Sequence, residues 1–140
     1  MDLRTLSPTY SVSPQITPED IHALAGAGFK SVMCNRPDGE EPGQPDFASI
    51  EAVARAEGLE VRWVPIVSGG VPQSDLDAFR AALSEMPGPT LAYCRSGTRC
   101  TMLWTIAQYG VLPEADILKA TQSAGYDMSG LLAQLHQQMG

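Results

Sequence analysis

Apolar residues along this chain fall into short blocks of two kinds, and the two kinds alternate. Phe29-Lys30-Ser31-Val32-Met33-Cys34, Leu59-Glu60-Val61-Arg62-Trp63-Val64-Pro65 and Thr90-Leu91-Ala92-Tyr93 have the length and residue types of β-strands. Arg4-Thr5-Leu6 and Tyr10-Ser11-Val12, joined by Ser7-Pro8-Thr9, predict a short hairpin or edge pair. Between these blocks the apolar residues keep helical spacing. Thr17, Pro18 and Asp20 mark a helix start, with Ile21, Leu24 and Ala25 on its apolar side and Gly26 or Gly28 at its end. Asp46 or Gln44 caps a second helix from Phe47 to Glu57, in which Ala48, Ile50, Val53 and Ala54 face inward before Gly58. Ser74 with Asp77 resembles a capping box for a helix from Asp75 to Glu85. Cys100 to Tyr109 reads as a buried helix stopped by Gly110. A further helix opens at Pro113 and closes near Gly125, and Asp127 caps a last one from Met128 to Met139.

Strands alternating with helices predict an α/β sheet, mostly parallel, with helices on both faces. Ligands bind such sheets beyond the carboxyl ends of the strands. Three loops are expected to meet there: Arg36 to Pro45, Val67 to Gln73, and Cys94 to Arg99. The first, dense in Gly, Pro and charge, is long enough to suggest a functional role. No repeat, low-complexity tract or linker interrupts the pattern, so residues 1–140 are read as a single domain.

The third loop holds the candidate chemistry. Cys94 sits where a strand stops, and a helix begins a few residues later. The free N–H groups and dipole of a helix start favour an anion. The same field makes a thiol more acidic, and the thiolate is the nucleophile. Gly97 lets the backbone turn its amides inward. Arg99 offers a planar fork that grips an oxyanion with two bonds. Arg95, Ser96, Gly97 and Thr98 complete the ring as anion- or substrate-binding positions.

Composition narrows the function classes. A net charge of −7 disfavours nonspecific binding to nucleic acid or to an anionic membrane. No run approaches membrane-spanning length and the start lacks an apolar signal core, so a cytoplasmic protein is expected. The three cysteines make no disulfide framework. With two histidines in the chain, neither a His-rich metal site nor a Cys/His catalytic pair is expected, and no cofactor is called for.

Tyr93-Cys94-Arg95-Ser96-Gly97-Thr98-Arg99 resembles the active loop of rhodanese sulfurtransferases and the phosphate-binding loop of cysteine-dependent phosphatases. Phosphatase loops have one residue more between Cys and Arg, and the shorter spacing here is the rhodanese form. Ser13 to Asp20, Asn35 to Glu40, Ala92 to Arg99 and Ser123 to Asp127 together resemble the phosphatase-like domain of the beta-lactamase-hydrolase-like family. The resemblance covers nearly the whole chain. It implies a dual-specificity-phosphatase-like fold, a three-layer α/β/α arrangement on a central sheet of four to five strands. Members of that family are described as candidate sulfur transferases.

The resemblance implies a Cys94 persulfide that passes sulfane sulfur to a thiol acceptor, with thiosulfate, a persulfide or a phosphoester as the small anionic substrate. Two alternatives stand beside it: a cysteine-dependent phosphatase of small phosphoesters, and a non-catalytic anion-binding or redox-sensing module. Asp38 is the expected proton donor or acceptor, because Ile66 to Gly70 contains no carboxylate. Arg36 is a further anion-binding candidate, unless Arg36 and Asp38 merely pair with each other. Cys100 stands where the family usually carries Ser or Thr. It is read either as core or as a resolving thiol for Cys94. Cys34, Trp63 and Trp104 are read as core, and Glu40 and Glu41 as a solvated loop.

Overall fold

Parallel strands need crossover connections, and helices on both faces of a sheet satisfy that need while covering its apolar surfaces. The computed structural model describes residues 1–67 and 70–139; Ser68 and Gly69, expected in the loop after the fourth strand, lie outside the described residues. β1 (Arg4–Ser7) and β2 (Tyr10–Ser13) form the expected antiparallel hairpin. β3 (Ser31–Cys34), β4 (Glu60–Trp63) and β5 (Thr90–Tyr93) join them in a five-stranded sheet of order β1-β2-β5-β3-β4. The β2–β5, β5–β3 and β3–β4 pairings are all parallel.

α1 (Pro18–Gly26) and α2 (Phe47–Ala56) cover one face, where Ile21, Leu24, Ile50 and Ala54 meet Val32, Leu91 and Tyr93. α3 (Gln73–Glu85), α4 (Thr98–Gln108), α5 (Glu114–Ser123) and α6 (Ser129–Met139) follow in the chain. They supply Phe79, Leu103, Trp104, Ile117 and Leu132 to the other face, against Val12, Met33 and Ala92. Strand alternation sends Leu91 and Tyr93 to one layer and Ala92 and Cys94 to the other. The three-layer α/β/α expectation therefore holds.

Local signals placed several helix ends. The Asp20 carboxylate accepts the Thr17 N–H at 2.9 Å, and Asp46 accepts the Ser49 N–H at 2.9 Å. The capping box expected at Ser74 does not form. Pro72 precedes the first residue of α3, and Asp77 accepts from the Gln73 side chain at 2.9 Å instead. α4 starts at Thr98, two residues ahead of the expected Cys100, after Gly97 at φ +90°. Trp63, read as core, is 42% exposed on edge strand β4. It stacks on Phe47 with ring centroids 4.9 Å apart and donates to the Arg36 carbonyl at 2.9 Å.

Register decides where the site lies. Tyr93 pairs with both Ser13 and Cys34, and Cys34 pairs with Trp63. The segments beginning at Pro14, Asn35, Val64 and Cys94 therefore leave the sheet at one level, with β5 in the centre. Bonds between the emerging segments hold them together: Cys94 N–H to Ser13 O at 3.4 Å, Asn35 N–H to Tyr93 O at 2.8 Å, and Asn35 Nδ2 to Val64 O at 2.9 Å.

Leu103, fully buried on α4, belongs to the core of that layer. Leu103→Ala is expected to lower unfolding free energy by about 2–5 kcal/mol in urea titration, with an unchanged m-value.

Candidate active site

Cys94 is fully buried at the C-terminal end of the central strand. Its Sγ accepts the Gly97 N–H at 3.1 Å. The Cys94 thiol is pulled down to about 5, first by a hydrogen bond from the Cys100 thiol and then by the N–H groups of Cys100, Gly97 and Ser96, while burial opposes them. Cys100, itself fully buried, is pushed up by its apolar surroundings and by Cys94, so it remains the proton-bearing partner.

Local hydrogen bonds fix the loop. The Gly97 carbonyl accepts the Thr101 N–H at 3.0 Å and the Thr101 hydroxyl at 2.8 Å. Tyr126, from the segment between α5 and α6, donates its hydroxyl to the Ser96 carbonyl at 2.9 Å. At the exposed lip the Ser96 hydroxyl donates to Thr98 Oγ1 at 3.0 Å.

The charged shell is built around Glu40. Its Oε1 accepts from Arg99 Nη2 at 2.7 Å and Arg36 Nε at 2.9 Å, and its Oε2 accepts from Arg99 Nη1 at 2.9 Å. The Arg99 guanidinium foremost, with Arg36 behind it, holds the Glu40 carboxyl below the usual carboxylate range. Arg99 Nη1 also donates to the Ile66 carbonyl at 2.7 Å. A guanidinium has five N–H bonds. Among the described residues, the Arg99 Nε–H and the second Nη2–H have no partner, and these two lie on one edge, spaced for an oxyanion. Cys94 is close enough for its charge to act on that guanidinium.

Arg36 was expected to bind substrate, yet its side chain is wholly buried. It donates through Nε to Glu40, and through Nη1 to Gln15 at 2.9 Å and Glu41 at 3.4 Å. Its Nη2 is buried without a partner among the described residues. Arg36 thus sets Glu40 in place and stands behind it. Nor do Arg36 and Asp38 pair with each other. Asp38 Oδ1 accepts the Phe47 N–H at 2.8 Å, which ties its carboxylate to the start of α2. Arg95 points outward, 69% exposed, with Nε 3.5 Å from Glu41. Cys34 is core, as read, its thiol directed at the Arg36 carbonyl at 3.4 Å.

Glu40 and Glu41 are therefore no idle solvated loop, and their role escaped the sequence reading, as did those of Gln15 and Tyr126. Gln15 ties the segment after β2 to the loop through its N–H on the Arg95 carbonyl at 3.3 Å. The available signal was charge matching, two adjacent carboxylates facing three arginines. Two concavities lie away from the loop, one of about 440 Å³ around Leu118 and Leu132 and one of about 310 Å³ beside Tyr10 and Trp104. Among the described residues no cluster of three potential metal ligands occurs, and no helix is long and apolar enough to cross a membrane.

In thiolate ultraviolet titration, the protein is expected to show one inflection at about pH 5. Cys94→Ala should abolish it, and Cys100→Ala should move it up by about one pH unit through loss of the thiol donor. Gly97→Ala should destroy the loop, because its φ of +90° and the adjacent Tyr126 hydroxyl leave no room for a Cβ. Loss of the low inflection together with a lowered melting temperature would register that damage.

The model of the phosphatase-like domain of Beta-lactamase hydrolase-like proteins matches residues 2–111. A Beta-lactamase hydrolase-like protein of Agrobacterium fabrum is 32% identical over 121 residues, which are 85% of this chain and 28% of that protein. The chain thus spans about a third of the length of such relatives. A candidate phosphatase of known structure from Neisseria meningitidis is 33% identical, with 98% of each chain covered and a TM-score of 0.86. The core catalytic domain of a PP-IP phosphatase from S. cerevisiae, in complex with citrate, is 16% identical with a TM-score of 0.65, covering 99% of this chain and 93% of that one. The fold is that of the cysteine phosphatases.

Proposed function

The chain belongs to the family of the phosphatase-like domain of beta-lactamase hydrolase-like proteins, and from that premise we propose that it is a cysteine-dependent phosphatase of small anionic phosphoryl compounds. The observation that carries this reading is the acidic Cys94 thiol, its Sγ accepting the Gly97 N–H, with the Arg99 guanidinium close enough to feel its charge and two of that guanidinium's N–H groups without a partner among the described residues. The Cys94 thiolate attacks phosphorus. The N–H groups of the loop and the Nε/Nη2 edge of Arg99 stabilise the oxygens that gain charge in the transition state. The citrate complex of the yeast domain supports an anion as the ligand of this fold. Three free cysteines suit a reducing compartment such as the cytoplasm.

A second reading keeps the same site and changes the electrophile. The loop has four residues between Cys94 and Arg99, and the Cys100 thiol stands against Cys94. Both features favour a sulfurtransferase, in which the Cys94 thiolate takes the outer sulfur of thiosulfate, sulfite departs, and a thiol accepts the sulfur from the persulfide.

Release of p-nitrophenolate from its phosphate ester is expected to fall to background in Cys94→Ser and by about a hundredfold or more in Arg99→Lys. Absence of that release, with one sulfur added to Cys94 by thiosulfate in intact-mass measurement, would move the assignment to sulfur transfer.

A further inference from the structure

An alkoxide is a poor leaving group, so hydrolysis of an alkyl phosphoester at neutral pH requires a proton donor at the departing oxygen. Each carboxylate the fold brings near the loop already accepts a backbone N–H or pairs with a cation. Glu40 is held by two bonds from Arg99 and one from Arg36. Glu41 lies between Arg36 and Arg95, at 3.4 and 3.5 Å. Asp38 holds the Phe47 N–H. The segment from Val64 to Pro72, the third to reach this end of the sheet, contains no carboxylate. Beyond it, Asp75 lies in the first turn of α3, where a carboxylate complements the helix dipole, and Asp77 is bonded to Gln73. His22 and His136 pair with Glu57 and Glu114. The lip offers two hydroxyls, Ser96 and Thr98, bonded to each other. What it presents to solvent is a cation, the 69% exposed Arg95.

We propose that the substrate is a phosphoanhydride, whose phosphate leaving group departs as a stable anion against Arg95 and needs no general acid from this domain. This rests on the phosphatase reading above. The Cys94 thiolate forms an S–P bond as the P–O bond breaks, and the electron pair leaves on the departing oxygen with no proton transferred. Water then attacks phosphorus, the S–P bond breaks, and dihydrogen phosphate and the thiolate are released. Arg95 supplies the counter-charge to the leaving group in the first step, and Arg99 with the loop amides holds the transferred phosphoryl oxygens in both.

The experiment measures kcat/KM, which reports the first irreversible step, for a graded series of aryl phosphates, for glycerol phosphate and for ADP as the phosphoanhydride probe. Expected is a fall of about tenfold for each unit by which the leaving group's pKa rises, the dependence of an unassisted departure. ADP should be turned over and glycerol phosphate should not. Arg95→Ala should depress turnover of ADP at least about tenfold more than that of p-nitrophenyl phosphate. Asp38→Asn, whose amide oxygen still accepts the Phe47 N–H, and Asp75→Asn should leave the aryl series and its slope unchanged. A flat series with glycerol phosphate accepted, or a loss confined to poor leaving groups in either Asp variant, would reveal a working acid and overturn the proposal. Failure of ADP with aryl phosphates still cleaved would also overturn it. Absence of any Cys94-dependent phosphate release would overturn the phosphatase reading itself, and this proposal with it.

Discussion

A sulfur anion placed at the buried end of a central strand loses the water that would stabilise it. Burial alone drives such a thiol toward its neutral form. Here the balance goes the other way: the thiol is pulled down to about 5, foremost by the Cys100 thiol. That stabilisation comes from hydrogen-bond donors already aimed at one atom. They stay aimed because Gly97 takes a φ that other residues rarely adopt, Thr101 holds the Gly97 carbonyl, and Tyr126 holds the Ser96 carbonyl. Much of the cost of orienting these dipoles is met during folding, leaving less to be met during reaction. The C-terminal segment thereby belongs to the active loop as much as β5 does.

The charged shell follows from the same constraint. A thiolate beside a guanidinium is useful when the guanidinium has a fixed orientation, and Glu40 fixes Arg99 through its two end nitrogens. Glu40 in turn is fixed by Arg36, whose fully buried side chain would be a costly isolated charge without Glu40, Glu41 and Gln15. Acidity and basicity are thereby coupled: the Glu40 carboxyl that orients Arg99 is held in its ionised form. A site built this way is suited to holding negative charge.

Much of this was legible in the residues themselves. Thr17-Pro18 with Asp20, Asp46 before Phe47, and Pro113 all mark helix starts by local chemistry, and each lies next to a helix in the structure. Local rules failed where a neighbour outbid them. Pro72 pulled the start of α3 ahead of Ser74, and Gly97 pulled the start of α4 ahead of Cys100. Trp63 has a core residue's chemistry, but edge strand β4 leaves it half-open, capping Phe47.

The order of residues by itself determined the alternation of strands and helices, and the turn in which a cysteine, a glycine and an arginine face one point. Those features depend on spacing along the backbone, which is written in the sequence. Tertiary structure alone decided that Asp38 ends on α2 while Glu40, two residues on, clamps Arg99 far along the chain. It alone brought Gln15 and Tyr126 to the loop and set the Cys100 thiol against Cys94. The physical reason is that side chains in an eleven-residue Gly- and Pro-rich loop (Asn35 to Pro45) have no periodicity to fix their direction. Their partners are chosen when parallel register delivers four chain segments to one edge of the sheet, and charge pairing there selects which of them meet.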